Sequence, residues 1–249
     1  MLAEPAVAII GSRAATPYAL EVATRLAADL ASRGVLVVSG LARGVDGAAH
    51  RGCLAASGRT AGVLGCGPDV TYPPEHYELY RQVVHAGVIV SELGPGAPPL
   101  PEHFPLRNRL ISGISLGVVV VEASDRSGSL ITARCALEQG RSVMAVPGSV
   151  LSGRNRGSHA LLRDGAKVVE TVDDIVEDLG WAGRAAAEPA ASNRLKIDPL
   201  LARMVRGETY GLDELGPVLG LDGHDLLARL TDWELQGAIK RLPGGYGLV

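Results

Sequence analysis

The sequence predicts an α/β protein, in which an extended Rossmann-like domain with a doubly wound, mainly parallel sheet is followed by a small C-terminal winged-helix domain. Short runs of β-branched residues alternate with longer helical stretches, which is the pattern of βαβ units. Runs such as GVVVVEA are continuously apolar, as strands covered on both faces of a sheet require. The length of 249 residues, 47% of them hydrophobic, suffices for one large domain and one small one.

Seven strands and four helices are predicted in the first part of the chain. The strands are expected at residues 7–10, 35–39, 60–65, 88–91, 117–122, 142–146 and 167–169. The first helix, at 18–33, places Leu20, Ala23, Ala27 and Leu30 on one face. The other helices are expected at 45–57, 75–86 and 129–139. Helices that separate strands in this way predict right-handed crossovers between parallel neighbours.

Domain boundaries follow from composition. Residues 1–180 form the predicted Rossmann-like domain. Residues 181–197 form a predicted linker, because the stretch GRAAAEPAASN is rich in small residues and has no apolar period. Residues 198–249 are predicted to form helices at 199–206, 212–219 and 223–236, followed by two short strands around the turn in RLPGGYG. Three helices and a terminal hairpin are typical of a winged helix.

The charge of the last predicted helix argues against its use in DNA recognition. Segment 222–236 contains four acidic residues and a single arginine, Arg229. A winged helix often contacts duplex DNA through its last helix, but these carboxylates would repel phosphates. We therefore expect a protein-contact or structural role for residues 198–249. A duplex-binding regulator that acts through this domain remains an alternative.

Composition excludes several classes of protein. A net charge of -3 excludes a uniformly basic nucleic-acid binder, although not a local basic site. No apolar run approaches the roughly 18 residues of a membrane-spanning helix, and the N-terminus resembles a strand rather than a signal peptide. The three cysteines have no CxxC spacing, so neither a disulfide framework nor a zinc site is expected. We expect a cytoplasmic protein with no membrane insertion, no metal and no cofactor.

Glycine, serine and arginine are concentrated where the predicted strands end. The loops SGLARG (39–44) and RSGS (126–129) each combine glycine with arginine, and Gly11-Ser12-Arg13 follows the first strand. Residues 100–163 carry eight arginines against four acids. Glycine lets backbone N–H groups approach an anion, helix N-termini favour negative charge, and guanidinium groups pair with phosphate. Several such loops at one edge of a sheet predict a site for a polyanion.

Each of these loops also has a purely structural interpretation. Arg43 could cap a helix with Asp46 as its partner, and the serines of RSGS could be the N-cap of the helix that follows. Aromatic residues are scarce, with one Phe, six Tyr and two Trp, and Phe104 is the only aromatic residue inside the basic segment. A stacking surface for bases is therefore expected to be thin.

Six segments together resemble the DNA-processing protein A (DprA/Smf) family. They are AIIGSRAATPYAL, SGLARGVDGAAHRGCL, GVLGCGPDVTYPPEH, FPLRNRLISGIS, VVVVEASDRSGSLITARCALEQGR and VMAVPGSVLSGRNRGSHALLRDGA. The resemblance extends from about residue 6 to residue 180. The C-terminal DWELQGAIKRLPGGYGLV is similar to the winged-helix domain of the same family.

The resemblance implies an extended Rossmann-like fold that binds single-stranded DNA, forms a homodimer and loads the RecA recombinase during natural transformation, with no enzymatic step. Arg43 and Arg126 match the basic pocket of the family, and the RNR element places Arg107 and Arg109 near the same pocket. The predicted nucleic-acid-binding residues are Ser39, Gly40, Arg43, Gly44, Arg107, Asn108, Arg109, Arg126, Ser127, Gly128 and Ser129. Family members often carry a helical domain before the Rossmann-like one, and we expect that domain to be absent here.

The leading hypothesis is a single-strand-binding recombination mediator. If the four arginines neutralise four phosphates, the logarithm of the binding constant should fall with the logarithm of salt concentration at a slope near about -3. The alternative is a Rossmann-like hydrolase that acts on nucleoside monophosphates. For that chemistry only Glu122, Asp125 and His50 offer an acid or base, and no base can be assigned to the thiol of Cys66.

Overall fold

The structure, a computed structural model, describes residues 4–181, 198–205, 207–235, 238–242 and 244–248. Contacts between Cα atoms divide the chain into two units, Met1–Glu188 and Pro189–Val249. The predicted linker, 181–197, lies outside the described residues except for Trp181. The two units are therefore described one at a time.

The first unit is built on a seven-stranded sheet in which every neighbouring pair is parallel. The strands are β1 (Ala6–Ile10), β2 (Leu36–Ser39), β3 (Thr60–Val63), β4 (Val88–Val90), β5 (Gly117–Val120), β6 (Ser142–Ala145) and β7 (Lys167–Val168). Their order in the sheet is β4-β3-β2-β1-β5-β6-β7. The seven predicted strands are present, and the predicted doubly wound Rossmann-like fold is confirmed.

Seven α-helices belong to the described part of this unit. They are α1 (Pro17–Ser32), α2 (Val45–Ala55), α3 (Tyr77–Ala86), α4 (His103–Ile114), α5 (Ser129–Glu138), α6 (Arg156–Arg163) and α7 (Val172–Asp178). The helices α1, α2, α3 and α5 correspond to the four predicted ones, and a 3-10 turn at Pro74–His76 precedes α3. The sequence did not predict α4, α6 or α7.

Both faces of the sheet are buried. Ile9 packs on one face with the apolar residues of α1 and α2, and the adjacent Ile10 packs on the other with Ile111 of α4 and Ala133 of α5. Successive side chains of a strand point to opposite faces, so a sheet between two helical layers needs apolar residues at every position. This arrangement explains the continuous apolar runs seen in the sequence.

The order of the strands reverses at β1. The chain proceeds from β1 outward through β2 and β3 to β4, and then returns to place β5 on the other side of β1. The loops that leave the carboxyl ends of β1 and β5 therefore diverge, and in open α/β sheets such a crevice is where ligands bind. Ser12 ties three loops together here, because its N–H donates to the Glu122 carbonyl (2.8 Å) and its carbonyl accepts from the Val45 N–H (3.2 Å).

The second unit contains short helices and a hairpin. A 3-10 helix (Pro199–Arg203) precedes α8 (Leu212–Leu219) and α9 (Gly223–Leu235), and β8 (Ile239–Leu242) pairs antiparallel with β9 (Gly245–Leu248). The predicted first helix, 199–206, is thus a 3-10 helix as far as it is described. These elements follow the predicted order, and the winged-helix assignment stays a prediction.

The residues of α9 support a structural or protein-contact role. Leu226, Leu230 and Trp233 are buried in the core of the second unit, whereas Leu227 is exposed. The guanidinium of Arg229 donates to Asp198 (2.6 Å), so the one arginine of this helix already has a carboxylate partner. Across the described ranges of both units, no helix has the length and apolar character needed to cross a membrane.

Candidate nucleic-acid interface

A cleft of about 540 Å³ lies at the carboxyl ends of β1 and β5. Its wall is formed by the loops that follow β1, β2, β3, β4 and β5 and by residues of α2, α4 and α5. The lining includes Ser12, Arg13, Asp46, Arg107 and the segment 127–129. The cleft therefore occupies the position where the sheet order reverses, and it combines arginine side chains with a helix N-terminus.

Asp46 and Arg107 bind the two backbone polar groups of Gly40. The Gly40 N–H donates to Asp46 Oδ2 (3.1 Å), and Nη1 of Arg107 donates to the Gly40 carbonyl (2.9 Å) and to the Val63 carbonyl. Arg107 is 6% exposed, and a Cβ at Gly40 would lie 2.4 Å from its Nη2 atom. Arg107 thus lines the cleft, but its guanidinium donates to backbone carbonyls at the ends of β2 and β3. It is therefore a positioning residue for the loop after β2.

Burial perturbs both of these charged groups. It lowers the pKa of Arg107 to about 10, an effect that the Asp46 carboxylate partly opposes. It raises the pKa of Asp46, and the charge of Arg107 opposes that rise. Arg107 remains a cation at neutral pH. Each group therefore favours the charged form of the other inside the wall of the cleft.

The loop after β2 has a conformation that depends on glycine at its last position. Gly44 has φ 71° and ψ -128°, and a Cβ there would lie 2.1 Å from the Ser12 carbonyl oxygen. Leu41 in the same loop also has a positive φ, 55°. Ser39, at the start of the loop, donates its hydroxyl to the Ile9 carbonyl (2.6 Å). These contacts fix the loop after β2 against the loop after β1.

Arg43 projects from this loop into solvent. Its side chain is exposed and pairs with Glu75, which lies in the 3-10 turn before α3. The hydrogen bond to Glu75 raises the pKa of Arg43 and lowers the pKa of Glu75. Arg43 lines a small recess of about 40 Å³ that shares Arg13 and Arg107 with the cleft. The partner of Arg43 is therefore Glu75, and not Asp46 as the structural interpretation of the sequence suggested.

The N-terminus of α5 opens onto the cleft. Ser127 and Ser129 share a hydrogen bond between their hydroxyls (2.7 Å), and Asn108 Nδ2 lies 3.5 Å from the Gly128 carbonyl. No atom lies within 4 Å of the position that a Cβ would take at Gly128. Arg126, the residue before this turn, is exposed, and in the described part of the chain it has no hydrogen-bond or ion-pair partner. This end of α5 combines an open backbone with an unpaired cation.

The structure brings some of the predicted residues together at the cleft or its recess. Four of them line neither, and these are Ser39, Gly44, Arg109 and Arg126. Gly40, Arg43, Arg107, Asn108 and the segment 127–129 line the cleft or its recess. Arg109 does not line the cleft, and it pairs with Glu92 instead. The reason is helical geometry, because residues two apart on a helix point about 200° away from each other, so Arg107 and Arg109 of α4 cannot face the same pocket.

Among the cleft residues that sequence reasoning left out of the predicted site are one arginine and two aromatic residues. Arg13, Tyr72 and Phe104 come from the loop after β1, the loop after β3 and the start of α4, and all three line the cleft and the recess. The Arg13 guanidinium carbon lies 5.3 Å from the centre of the Phe104 ring, and the Tyr72 and Phe104 ring centres are 5.4 Å apart. Each residue stands in a motif singled out above, but no single motif contains two of them.

The residues that could act as acid, base or nucleophile in hydrolysis each have a hydrogen-bond or ion-pair partner within the protein. His50 is buried, its Nδ1 lies 2.7 Å from Thr60 Oγ1, and burial lowers its pKa to about 3. Glu122 accepts from the Thr16 hydroxyl (2.6 Å) at the start of α1, and Asp125 lies 3.9 Å from Arg156. The Cys66 thiol donates to the Val70 carbonyl, and burial raises its pKa. None of these groups lines the cleft, within the residues described.

A metal site is also not formed by the described residues. Among them, no group of three or more His, Cys, Asp or Glu side chains is arranged to hold a metal ion. The cleft itself contains Asp46 as its one carboxylate among the lining residues of the described chain. The arrangement therefore offers cationic and N–H donor groups, which suit an anionic ligand.

Comparison with known proteins identifies close relatives. A family model described as DNA recombination-mediator protein A matches residues 1–180. Protein Smf of Escherichia coli is 39% identical over 248 residues, which cover 96% of this chain and 66% of that protein. The DNA processing protein DprA of Streptococcus pneumoniae is 43% identical over 178 residues, which cover 72% of this chain and 63% of the relative. The chain thus spans just under two thirds of the length of these curated relatives.

Solved structures agree with the fold. The X-ray structure of DprA from S. pneumoniae superposes with a TM-score of 0.67 at 43% identity, and the match covers 71% of this chain and 62% of the other. The structure of DNA processing protein A from Helicobacter pylori superposes with a TM-score of 0.66 at 31% identity, over 72% of this chain and 81% of the other. The H. pylori protein binds single-stranded DNA.

Proposed function

The chain belongs to the DNA recombination-mediator protein A family, and on that premise we propose that it is a cytoplasmic single-stranded DNA-binding mediator that loads RecA recombinase during natural transformation. We propose further that it acts as a homodimer, with no enzymatic step and no cofactor. The single observation that carries the proposal is the cleft at the reversal point of the sheet, where arginine side chains meet the N-terminus of α5.

The arginines around the cleft divide into two groups. Arg13, Arg43 and Arg126 are exposed and can reach a strand in solvent, whereas Arg107 is buried on carbonyl oxygens. Phosphate oxygens would be held by the exposed guanidinium groups and by the open backbone at Gly128. Ser39, Gly40, Gly44, Arg107 and Asn108 would act indirectly, by fixing the loops that carry these groups. Arg109 would contribute only through its long-range charge.

The proposal is tested by comparing three ligands on the purified chain. Fluorescence anisotropy with a labelled oligo-dT, a duplex of equal length and a labelled mononucleotide should give tightest binding to the single strand. Preference for the mononucleotide, together with release of free base from nucleoside monophosphates, would instead support the hydrolase. Preference for the duplex, retained by residues 198–249 alone, would support the duplex-binding regulator. RecA filament formation on single strands, with and without the protein, tests the loading step.

Replacing Arg126 by alanine should weaken single-strand binding without reducing stability. With three exposed arginines each neutralising one phosphate, at about -0.7 each, the wild-type salt slope should lie near about -2 rather than -3. Arg126→Ala should bring this slope closer to zero by about 0.7. Arg163→Ala is the matched control, because Arg163 is an exposed arginine in the last turn of α6, at the opposite edge of the sheet. Equal slopes for the two variants would contradict the assignment of Arg126.

Replacing Glu75 by glutamine should strengthen single-strand binding. The Glu75 carboxylate competes with phosphate for Arg43, so its removal should raise affinity by about two- to fivefold, the range expected for an exposed ion pair. Glu78→Gln is the control, since Glu78 is an exposed carboxylate nearby that pairs with Arg81 on α3 (3.7 Å). If both variants gain the same affinity in anisotropy titrations, only net charge has changed and Arg43 is not the phosphate ligand.

A further inference from the structure

A groove of about 650 Å³ lies between the helices α2 and α3 of the first unit. The helix α2 contributes Arg51, Leu54 and Ala55 to its lining, and α3 contributes a stripe that includes Arg81 and His85. Within the described part of this unit, none of the residues that line the groove also lines the cleft or its recess. The groove is therefore a surface distinct from the cleft.

The groove carries two arginines against one carboxylate. Arg51 and Arg81 are exposed, and Glu78 is the one acidic side chain among the described lining residues. In the part of the chain that the structure describes, the guanidinium of Arg51 has no hydrogen-bond or ion-pair partner. Arg81 Nη1 lies 3.7 Å from Glu78 Oε1, which is longer than a hydrogen bond. The groove therefore presents guanidinium N–H donors that an anionic ligand can use.

A short series of contacts joins the groove to the recess at Arg43. Arg43 pairs with Glu75, and the next residue, His76, is buried. A Cβ at Gly47 would lie 2.8 Å from Cε1 of His76 and 3.1 Å from Nη2 of Arg51. The Arg51 guanidinium therefore packs beside the same turn that supplies the partner of Arg43. One turn of chain separates the arginine of the recess from the first arginine of the groove.

We propose that a bound single strand continues from the recess at Arg43 into the groove between α2 and α3, where Arg51 and Arg81 bind its phosphates. This inference rests on the proposed function and adds a second contact site for the strand, outside the cleft. Guanidinium groups that follow one another along a surface can pair with successive phosphates of a flexible strand, and such contacts need no particular base sequence. An acidic peptide would meet the same charges, but the continuity of the groove with the recess favours the strand.

The experiment compares two labelled oligo-dT probes, about 5 and about 15 nucleotides long, on the wild type and on the double variant Arg51→Ala/Arg81→Ala. The shorter probe can fill the cleft alone, and the longer one can also reach the groove. The double variant should bind the longer probe about tenfold more weakly and the shorter probe as the wild type does. Its salt slope for the longer probe should move closer to zero by about 1.4, at about 0.7 for each lost phosphate contact.

The matched control is the double variant Arg25→Ala/Arg163→Ala. It also removes two exposed arginines, from α1 and α6, and neither of them lines the groove or the cleft. It should bind both probes as the wild type does, and urea unfolding verifies that all variants are folded. In the wild type, a 4-thiothymine at one end of the longer probe should cross-link to segment 78–86 of the groove. The salt slope and the cross-links decide even if the shorter probe binds too weakly to titrate.

The outcomes separate this inference from the proposed function. If both double variants lose the same affinity for the longer probe, only net charge has changed, and the strand does not enter the groove. Equal weakening of both probes by Arg51→Ala/Arg81→Ala would mean that these arginines act through the cleft, which overturns the inference while single-strand binding stands. Cross-links confined to the cleft also overturn it and would leave the groove to an acidic protein partner. If the wild type binds neither probe, the proposed function itself fails, and the path along the groove fails with it.

Discussion

Replacing Arg107 by alanine is expected to reduce the free energy of unfolding by about 3–5 kcal/mol, the cost of removing one partner from a buried charged pair. The substitution leaves the carbonyls of Gly40 and Val63 without their donor and Asp46 without its nearest cation. It also opens a cavity in the wall of the cleft. Urea unfolding followed by circular dichroism measures the change.

The same substitution should make stability depend on pH in a defined direction. Arg107 lowers the pKa of Asp46, so its loss should raise that pKa further above the ordinary value of an aspartate. A folded-state pKa above the unfolded value means that the folded protein binds more protons between the two values, and the cost of the buried charge is relieved as pH falls. The destabilisation of Arg107→Ala relative to wild type should therefore shrink between about pH 7 and about pH 5.

Arg109→Ala provides the control for Arg107→Ala. Arg109 lies on the same helix and loses the same side chain, but it is exposed and pairs with Glu92 at the surface. Its substitution should change stability by less than about 1 kcal/mol. If Arg107→Ala unfolds at the same urea concentration as Arg109→Ala, then Arg107 does not hold the loop after β2, and a direct role in phosphate binding would have to be reconsidered.

The strands and the four amphipathic helices could be predicted because burial leaves a clear apolar pattern. The three missed helices lack that pattern for physical reasons. The buried residues of α4 are Arg107, Asn108, Ile111 and Ser112, so its inner face is mostly polar and shows no apolar period. The buried positions of α6 are Gly157 and Ser158, and α7 has seven residues that begin with a capping box between Thr171 and Asp174. The apolar period is therefore lost in α4 and α6 because their buried residues are polar or small, and in α7 because two turns are too few to show a period.

The candidate site was only partly predictable for a related reason. The motifs predicted where the loops lie, since parallel strands bring their carboxyl ends to one edge of the sheet. They did not predict which arginine side chains are buried and which are exposed. Arg107, Arg109 and Arg126 look alike in the sequence, yet one is buried on carbonyls, one is paired at the surface and one is exposed without a partner. The contact of Arg13 with Phe104 and Tyr72 depends on tertiary packing alone.

Replacing Gly44 by alanine is expected to impair both folding and binding. An L-residue at φ 71° and ψ -128° is strained by about 1–3 kcal/mol, and the new Cβ would lie 2.1 Å from the Ser12 carbonyl oxygen. Relief of that clash requires the loops after β1 and β2 to separate, which displaces Arg13 and Arg43 together. The free energy of unfolding should fall by about 3 kcal/mol or more.

Gly34→Ala separates the backbone strain from the clash. Gly34 has φ 78°, and no atom lies within 4 Å of its prospective Cβ, so its substitution should cost only about 1–2 kcal/mol and leave oligo-dT affinity unchanged. Gly44→Ala should lose at least about tenfold in oligo-dT affinity even at a temperature where it is fully folded, since each displaced guanidinium group loses its phosphate. Equal costs in urea unfolding and equal affinities for the two variants would mean that the contact between the loops after β1 and β2 does not organise the cleft.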